Sequence, residues 1–149
     1  MHENNVIVSI VGNQLMPDGQ EGTLELVTEG SFYKDDQSYI LEYQESELSG
    51  MEGTTTRITL NDRSMRLERS GTYNAHFVFE KWKTYRGRYI TPFGEINMEL
   101  FATDFGIDMD ADALKGKEDI EYEMAVEGLR TSNQLMVSFR SKNSSVPPG

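Results

Sequence analysis

Most segments of this chain alternate apolar and polar residues with a period of two, and each alternating segment ends at a turn signal. Val6, Val8 and Ile10 share one face of the first segment, and Leu135 and Phe139 share one face of the last. Because successive side chains of a strand point to opposite faces, this period predicts half-buried β-strands. About nine or ten such strands follow one another, at spacings of roughly 8–14 residues.

The way these strands are connected predicts a single antiparallel up-and-down β-barrel. Turn residues such as Asn61-Asp62 and Pro92-Phe93-Gly94 separate consecutive strands, which favours hairpins. No segment has the length of a crossover helix, so a parallel sheet is not expected. We expect an all-β barrel domain over residues 1–140. Residues 141–149, rich in Ser, Asn and Pro, are expected to form a flexible C-terminal tail.

The charge of the chain argues against two classes of partner. Among its 149 residues, 25 are acidic and 14 are basic, which gives a formal charge of −11 at pH 7. A nucleic-acid binder needs a concentrated basic face, and an anionic membrane surface would repel an acidic chain. The densest basic stretch, Lys81 to Arg88, is interrupted by aromatic residues. We therefore expect neither nucleic acid nor a membrane as a partner.

The supply of cysteine and histidine limits the cofactors and the cellular setting. The chain has no Cys and two His, so disulfides, thiol nucleophiles, iron–sulfur clusters and histidine metal sites are not expected. His76 alternates with Phe77 and should point away from the core. The first five residues lack the positive start of a signal peptide. These features predict a cytoplasmic protein without a cofactor, and they leave the oligomeric state open.

One acidic segment has part of the pattern of a calcium loop. Asp108, Asp110 and Asp112 have the spacing of the first three ligands. Ala113 stands at the sixth position, where such a loop needs Gly, and no flanking helices are predicted. We expect a solvated acidic loop in this segment and no bound metal.

Three segments carry a resemblance to a known family. They are the stretch from Tyr43 to Thr56 (YQESELSGMEGTTT), Arg69-Ser70-Gly71, and the stretch from Tyr89 to Gly94 (YITPFG). In this order and spacing they resemble the YwiB-like family of uncharacterised bacterial proteins, from about Val6 to Arg140. The resemblance implies a calycin-like (lipocalin-like) β-barrel in a bacterial cytoplasm, and it implies no activity. Phe93 stands where the family pattern has Tyr.

Six side chains near the strand ends form the candidate ligand-binding site: Tyr43, Glu45, Arg69, Tyr85, Tyr89 and Thr91. Tyr43, Glu45 and Arg69 share their strand faces with apolar residues and are expected to face the barrel interior. Tyr85, Tyr89 and Thr91 put their hydroxyls on one face of another strand, with Gly87 between them. A buried charge is costly unless it is paired, so Glu45 and Arg69 should meet each other or a ligand. Three interpretations stay open: a structural ion pair, a ligand-holding pair, or two solvated charges at the strand ends.

The sequence supports a first hypothesis and two rivals. The first is a barrel that binds a small anionic or hydroxyl-bearing molecule in its interior. The alternative is a non-enzymatic protein–protein interaction module with a filled interior, whose acidic Glu42–Glu52 stretch binds a basic partner. The third is an enzyme with Glu45 and either Tyr43 or Tyr89 as acid and base. An interior void of roughly several hundred Å³ would favour the first over the second.

Overall fold

The chain forms ten antiparallel strands that close into one barrel, as the alternation predicts. The computed structural model describes residues 3–142. The strands are β1 (Val6–Leu15), β2 (Glu21–Asp35), β3 (Ser38–Gln44), β4 (Thr54–Leu60), β5 (Ser64–Gly71), β6 (Asn74–Glu80), β7 (Thr84–Thr91), β8 (Gly94–Asp110), β9 (Lys115–Val126) and β10 (Leu129–Ser141). Each strand pairs with its neighbours in the chain, and β1 pairs with β10 to close the cylinder.

The alternation of the sequence becomes an inside and an outside of the barrel wall. On β4, for example, Thr54, Thr56, Ile58 and Leu60 are buried, whereas the residues between them are more exposed. The inward side chains of all ten strands form one continuous core. Arg86 and Arg88 point outward on β7, and His76 is exposed on β6, as their parity predicts. The barrel therefore has one interior, and parity alone decides which side chains can reach it.

The longest loop between consecutive strands joins β3 to β4 and contains a short 3-10 turn over Glu47–Ser49. The Ser46 side chain caps this turn by accepting a hydrogen bond from the Leu48 amide. Gly50 and Gly53 have φ angles of 75° and 86°, in the left-handed region that favours glycine. The two glycines thus let the loop reverse direction and place Met51 at the end of the barrel.

Two segments outside the regular hairpins were predicted from the sequence, the acidic segment from Asp108 to Asp112 and the C-terminal tail. The segment from Asp108 to Asp112 is mainly strand, because β8 extends to Asp110 and β9 begins at Lys115, so the expected acidic loop is reduced to a tight turn. Its aspartates lie on a long β-ribbon, and within residues 3–142 no group of acidic or histidine side chains could hold a metal ion.

β10 ends at Ser141, one residue into the expected tail, and residues 143–149 lie outside the described residues. Within the described part of the chain, no helix has the length and apolarity needed to cross a membrane.

The wall is not equally well paired all round. β7 and β8 are paired along the whole of β7, from Thr84 opposite Phe101 to Thr91 opposite Gly94. β6 and β7 pair only at Asn74 with Ile90 and at Ala75 with Tyr89. We call the poorly paired remainder of this junction the seam. The segment that connects β6 to β7 is held against β8, because the Trp82 amide donates a hydrogen bond to the Ala102 carbonyl at 2.8 Å.

Candidate functional site

A row of facing residues across five strands builds the polar part of the interior. Tyr43 on β3 lies opposite Thr56 on β4, and Thr56 lies opposite Arg69 on β5. The row continues from Arg69 to Ala75 on β6 and from Ala75 to Tyr89 on β7. Directly opposite side chains on one face of a sheet have Cβ atoms about 5 Å apart, so this register brings distant parts of the sequence together.

Glu45 is buried beside this row and is held by the neighbouring strand. Its amide donates to the Thr54 carbonyl at 2.8 Å, which extends the β3–β4 pairing by one residue. Its Oε2 atom accepts a 2.8 Å hydrogen bond from the Thr56 hydroxyl. Its Oε1 atom is buried and has no hydrogen-bond partner. The described part of the protein therefore supplies a hydrogen bond to one of the two carboxylate oxygens of Glu45 and none to the other.

Arg69 interacts with an aromatic ring and a phenol. Its Nη1 atom donates to the Tyr89 hydroxyl at 3.4 Å, and its guanidinium carbon lies 5.8 Å from the centre of the Tyr89 ring. Its Nε atom is buried without a hydrogen-bond partner. Within residues 3–142, no carboxylate forms an ion pair with Arg69.

Glu45 and Arg69 were expected to meet each other or a ligand, and within residues 3–142 they form no ion pair with each other. The register explains the result, because the residue opposite Arg69 is Thr56 and not Glu45. The Thr56 hydroxyl then occupies one carboxylate oxygen of Glu45. Each charged group keeps one unpartnered polar atom, so the alternative in which they meet a ligand stays open.

The phenol of Tyr89 connects the row to the β3–β4 loop. It donates a hydrogen bond to the Met51 sulfur at 2.8 Å, so the loop covers this end of the barrel. Burial is the main reason that the pKa of Tyr89 is raised, and the nearby Arg69 opposes the rise. Burial also raises the pKa of Tyr43, with a further contribution from the Glu45 carboxylate. Both phenols are therefore uncharged at neutral pH and can donate as well as accept hydrogen bonds.

An interior cavity of about 190 Å³ lies next to this row. Three of the six candidate residues line it: Tyr43, Arg69 and Tyr89. The rest of its wall is mostly apolar, and is formed by Ile10, Ile58, Leu67, Phe77, Phe79, Met98, Leu100, Tyr122, Met124, Leu135 and Val137. Among the described residues that line it, Arg69 alone carries a charge.

Tyr122 is a cavity residue that the sequence reasoning did not select. Burial raises the pKa of its phenol, and Arg69 is close enough to oppose that rise. Its ring packs edge-on against Phe79, with centroids 4.9 Å apart. The signal was present in the sequence, because Tyr122 alternates with Ile120 and Met124 on one strand face.

The other three candidate residues lie apart from the cavity wall. Glu45 is buried behind Thr56. Tyr85 lies at the seam, and its hydroxyl is 2.9 Å from His76 Nδ1. Thr91 belongs to the β7–β8 turn, where its hydroxyl donates to the Gly94 carbonyl at 3.0 Å. Thr91 thus stabilises the turn, and its placement is explained without a ligand.

A buried carboxyl group that the sequence reasoning also missed lies toward the opposite end of the barrel. Glu118 on β9 is only 2% exposed, and neither of its carboxylate oxygens has a hydrogen-bond partner. Desolvation raises the pKa of this side chain to about 8. Its surroundings include Leu60, Ile107 and Phe139, and they leave no room for a bound molecule. Glu118 is thus a buried acid that is mostly protonated at neutral pH, away from the cavity.

Comparison with known proteins places the chain in a family. Residues 8–136 match the family described as a domain of unknown function, DUF1934. The chain belongs to this family. The crystal structure of the YwiB protein from Bacillus subtilis has the same fold, with a TM-score of 0.81 at 19% sequence identity over 93% of this chain and 92% of that chain. The YwiB-like resemblance and the closed barrel are therefore confirmed. The comparison with curated proteins finds no match.

Proposed function

We propose that this DUF1934 protein binds a small organic anion in its interior cavity, with the anionic group paired to Arg69. The observation that carries the proposal is that Arg69 lines the cavity and, among residues 3–142, has neither an ion-pair partner nor a hydrogen bond at its Nε atom. A charge that is removed from water without a partner is costly, and a carboxylate or phosphate would offset that cost. Arginine also suits such groups because its planar fork matches their oxygens.

The remaining wall supports a ligand with an apolar body. Most of the cavity-lining side chains are aliphatic or aromatic, and three neutral phenols, Tyr43, Tyr89 and Tyr122, supply hydrogen bonds. The cavity of about 190 Å³ is smaller than the pockets of roughly 300–1,000 Å³ that hold drug-sized ligands. Both features favour a compact molecule with one charged end. A calycin-like use of the barrel, with the ligand held inside, is part of the same proposal.

The interior void of about 190 Å³ is smaller than the several hundred Å³ expected of a ligand pocket, so the support for ligand binding comes from Arg69 in its wall and not from its volume. A protein-interaction module was expected to have a filled interior, whereas this interior holds a cavity beside an unpaired cation. Acid–base chemistry by Glu45 has less support, because Glu45 lies outside the cavity wall. The absence of Cys fits a reducing compartment, and we propose the cytoplasm as the setting.

The test is a titration followed by nuclear magnetic resonance, with acetate and benzoate as probes. Benzoate should shift the signals of Tyr43, Tyr89 and Tyr122 in a saturable way, and acetate should bind more weakly because it lacks the apolar body. Arg69→Gln should weaken benzoate binding at least about tenfold, the equivalent of 1.4 kcal/mol. Arg66→Gln is the matched control, since Arg66 lies on the outer face of the same strand. The proposal is wrong if neither anion binds, or if both variants behave alike.

A further inference from the structure

The regular pairing of β6 and β7 stops directly beyond Ala75, the residue that lies opposite Arg69 on β5. Beyond the pairs at Asn74 and Ala75, the two strands are not joined by regular pairing. The aromatic ring of Tyr85 lies over Gly87, where an added Cβ would come within 2.9 Å of that ring and 3.0 Å of the His76 carbonyl oxygen. The Tyr85 hydroxyl reaches His76 Nδ1 at 2.9 Å. The Tyr85 side chain thus contacts both strands in the part of the junction where the regular pairing has stopped.

A cleft of about 820 Å³ opens at this seam. Its wall contains residues of both faces of the sheet, including the inward Arg69 and Met98 and the outward Arg86 and Arg88. Arg69 and Met98 also line the interior cavity. Arg69 therefore lies at the boundary between an apolar interior and an open, polar cleft.

The cleft brings three arginines together in a chain whose formal charge is −11. Arg69, Arg86 and Arg88 line it with His76, and its acidic side chains are Glu99 and Glu127. Arg86 pairs with Glu99 at 2.9 Å and Arg88 pairs with Glu95 at 3.4 Å. Both arginines are more than half exposed, at 81% and 63%, so these pairs are weak and can exchange for a ligand.

We propose that the seam cleft is an anion subsite and that the ligand is a phosphate monoester with a compact apolar body. This inference rests on the proposed function, because it uses the same Arg69. The apolar body lies in the interior cavity, and the phosphate lies at Arg69 on its seam side, within reach of Arg86 and Arg88. A phosphate monoester carries nearly two negative charges and three acceptor oxygens near neutral pH, which more than one arginine can bind. The interior cavity is too small and too apolar to hold that head group as well.

The experiment compares phenyl phosphate with benzoate, since both carry the same ring. The wild-type protein should bind phenyl phosphate about tenfold or more tightly than benzoate, a difference that is easily resolved by titration. The double variant Arg86→Gln/Arg88→Gln should lose this advantage and change benzoate binding by less than about twofold. Phenyl phosphate, but not benzoate, should shift the amide signals of His76 and Gly87. Arg66→Gln should leave both affinities unchanged.

Each outcome separates the subsite from the interior site. If benzoate binds and phenyl phosphate gains no affinity, the subsite is absent and the interior site stands. The subsite is also absent if the double variant binds phenyl phosphate as tightly as the wild type does. If Arg66→Gln weakens phenyl phosphate binding as much as the double variant does, the overall electrostatic field of the protein explains the effect, and the subsite is again absent. If neither aromatic anion binds, the proposed function itself has failed.

Discussion

The buried acid Glu118 makes the stability of the barrel depend on pH in a predictable way. Its carboxyl group has no hydrogen-bond partner, and desolvation raises its pKa to about 8 in the folded protein. In the unfolded chain the same group titrates near its ordinary value of 4.5. Between these two values the folded state holds a proton that the unfolded state has released. Stability is therefore full below about pH 4.5 and is lost as the pH rises toward 8.

The size of the effect follows from the distance between the two pKa values. Each pH unit in this window costs about 1.4 kcal/mol of unfolding free energy. The accumulated loss is about 3 kcal/mol at pH 7 and roughly 5 kcal/mol above pH 8. The Glu118→Gln variant keeps the shape of the side chain but cannot ionise. We expect it to match the wild type near pH 4.5 and to exceed its stability by a few kcal/mol at pH 8.

The measurement is urea unfolding at several pH values between 4.5 and 9, followed by circular dichroism. Glu121→Gln is the matched control, because Glu121 lies on the same strand with its side chain exposed. That control should follow the wild-type pH profile. Parallel profiles for the wild type and Glu118→Gln would refute the reasoning, because they would mean that Glu118 reaches a partner or solvent. A Gln variant that is less stable at pH 8 would refute it as well.

Three further substitutions test the candidate site and the seam. Thr56→Val removes the only hydrogen bond to the Glu45 carboxylate and should lower the unfolding free energy by about 1.5–3 kcal/mol in urea unfolding. Gly87→Ala should cost about 1–3 kcal/mol through overpacking, and Tyr85→Ala in the same chain should recover part of the loss measured by thermal unfolding. Arg69→Met removes a half-buried charge that has no ion pair among the described residues, and it should leave the ligand-free protein as stable or up to about 2 kcal/mol more stable, while anion binding is lost in titrations.

The controls for these substitutions lie on the same strands. Thr55→Val changes an outward hydroxyl that bonds the exposed Gln44 side chain, so it should cost less than about 0.5 kcal/mol. A similar loss for Thr55→Val and Thr56→Val would contradict the buried role of Thr56. A strong destabilisation by Arg69→Met would show that Arg69 has a structural partner, and Arg66→Met should have no effect on anion binding.

The sequence was sufficient for the barrel because the deciding signal is local. Parity along each strand assigns Tyr43, Arg69 and Tyr89 to one face, and short turns make consecutive strands neighbours. That reasoning placed these three side chains on the interior face, where the structure has them around one cavity. It could not supply the register between strands, which depends on the exact length of every turn. The sequence therefore indicated that Glu45 and Arg69 would meet each other or a ligand, but it could not show that Thr56 lies between them.

Two features escaped prediction because the local sequence pattern at each of them is typical of a different structure. Glu118 shares its strand parity with Ile120 and Tyr122, but it stands in the charged run Lys115-Gly-Lys-Glu-Asp119, and such a run is typical of a solvated turn. The seam escaped prediction because Tyr85 alternates as regularly as any core residue, and only the missing β6–β7 pairing shows that its ring fills a gap in the wall.

In both places the sequence departs from the pattern that would give the most stable barrel. A leucine at 118 or a fully paired β6–β7 junction would leave the inward and outward faces of the strands unchanged, and the fold would tolerate either change. Arg69 in the cavity wall, whose buried Nε atom has no hydrogen-bond partner among the described residues, is a third departure of the same kind. Two of the three, Arg69 and the seam, adjoin one another around connected spaces. Local choices that oppose stability are expected where a protein binds something, which is the physical reason for seeking the ligand there and not at the well-paired β8–β9 wall.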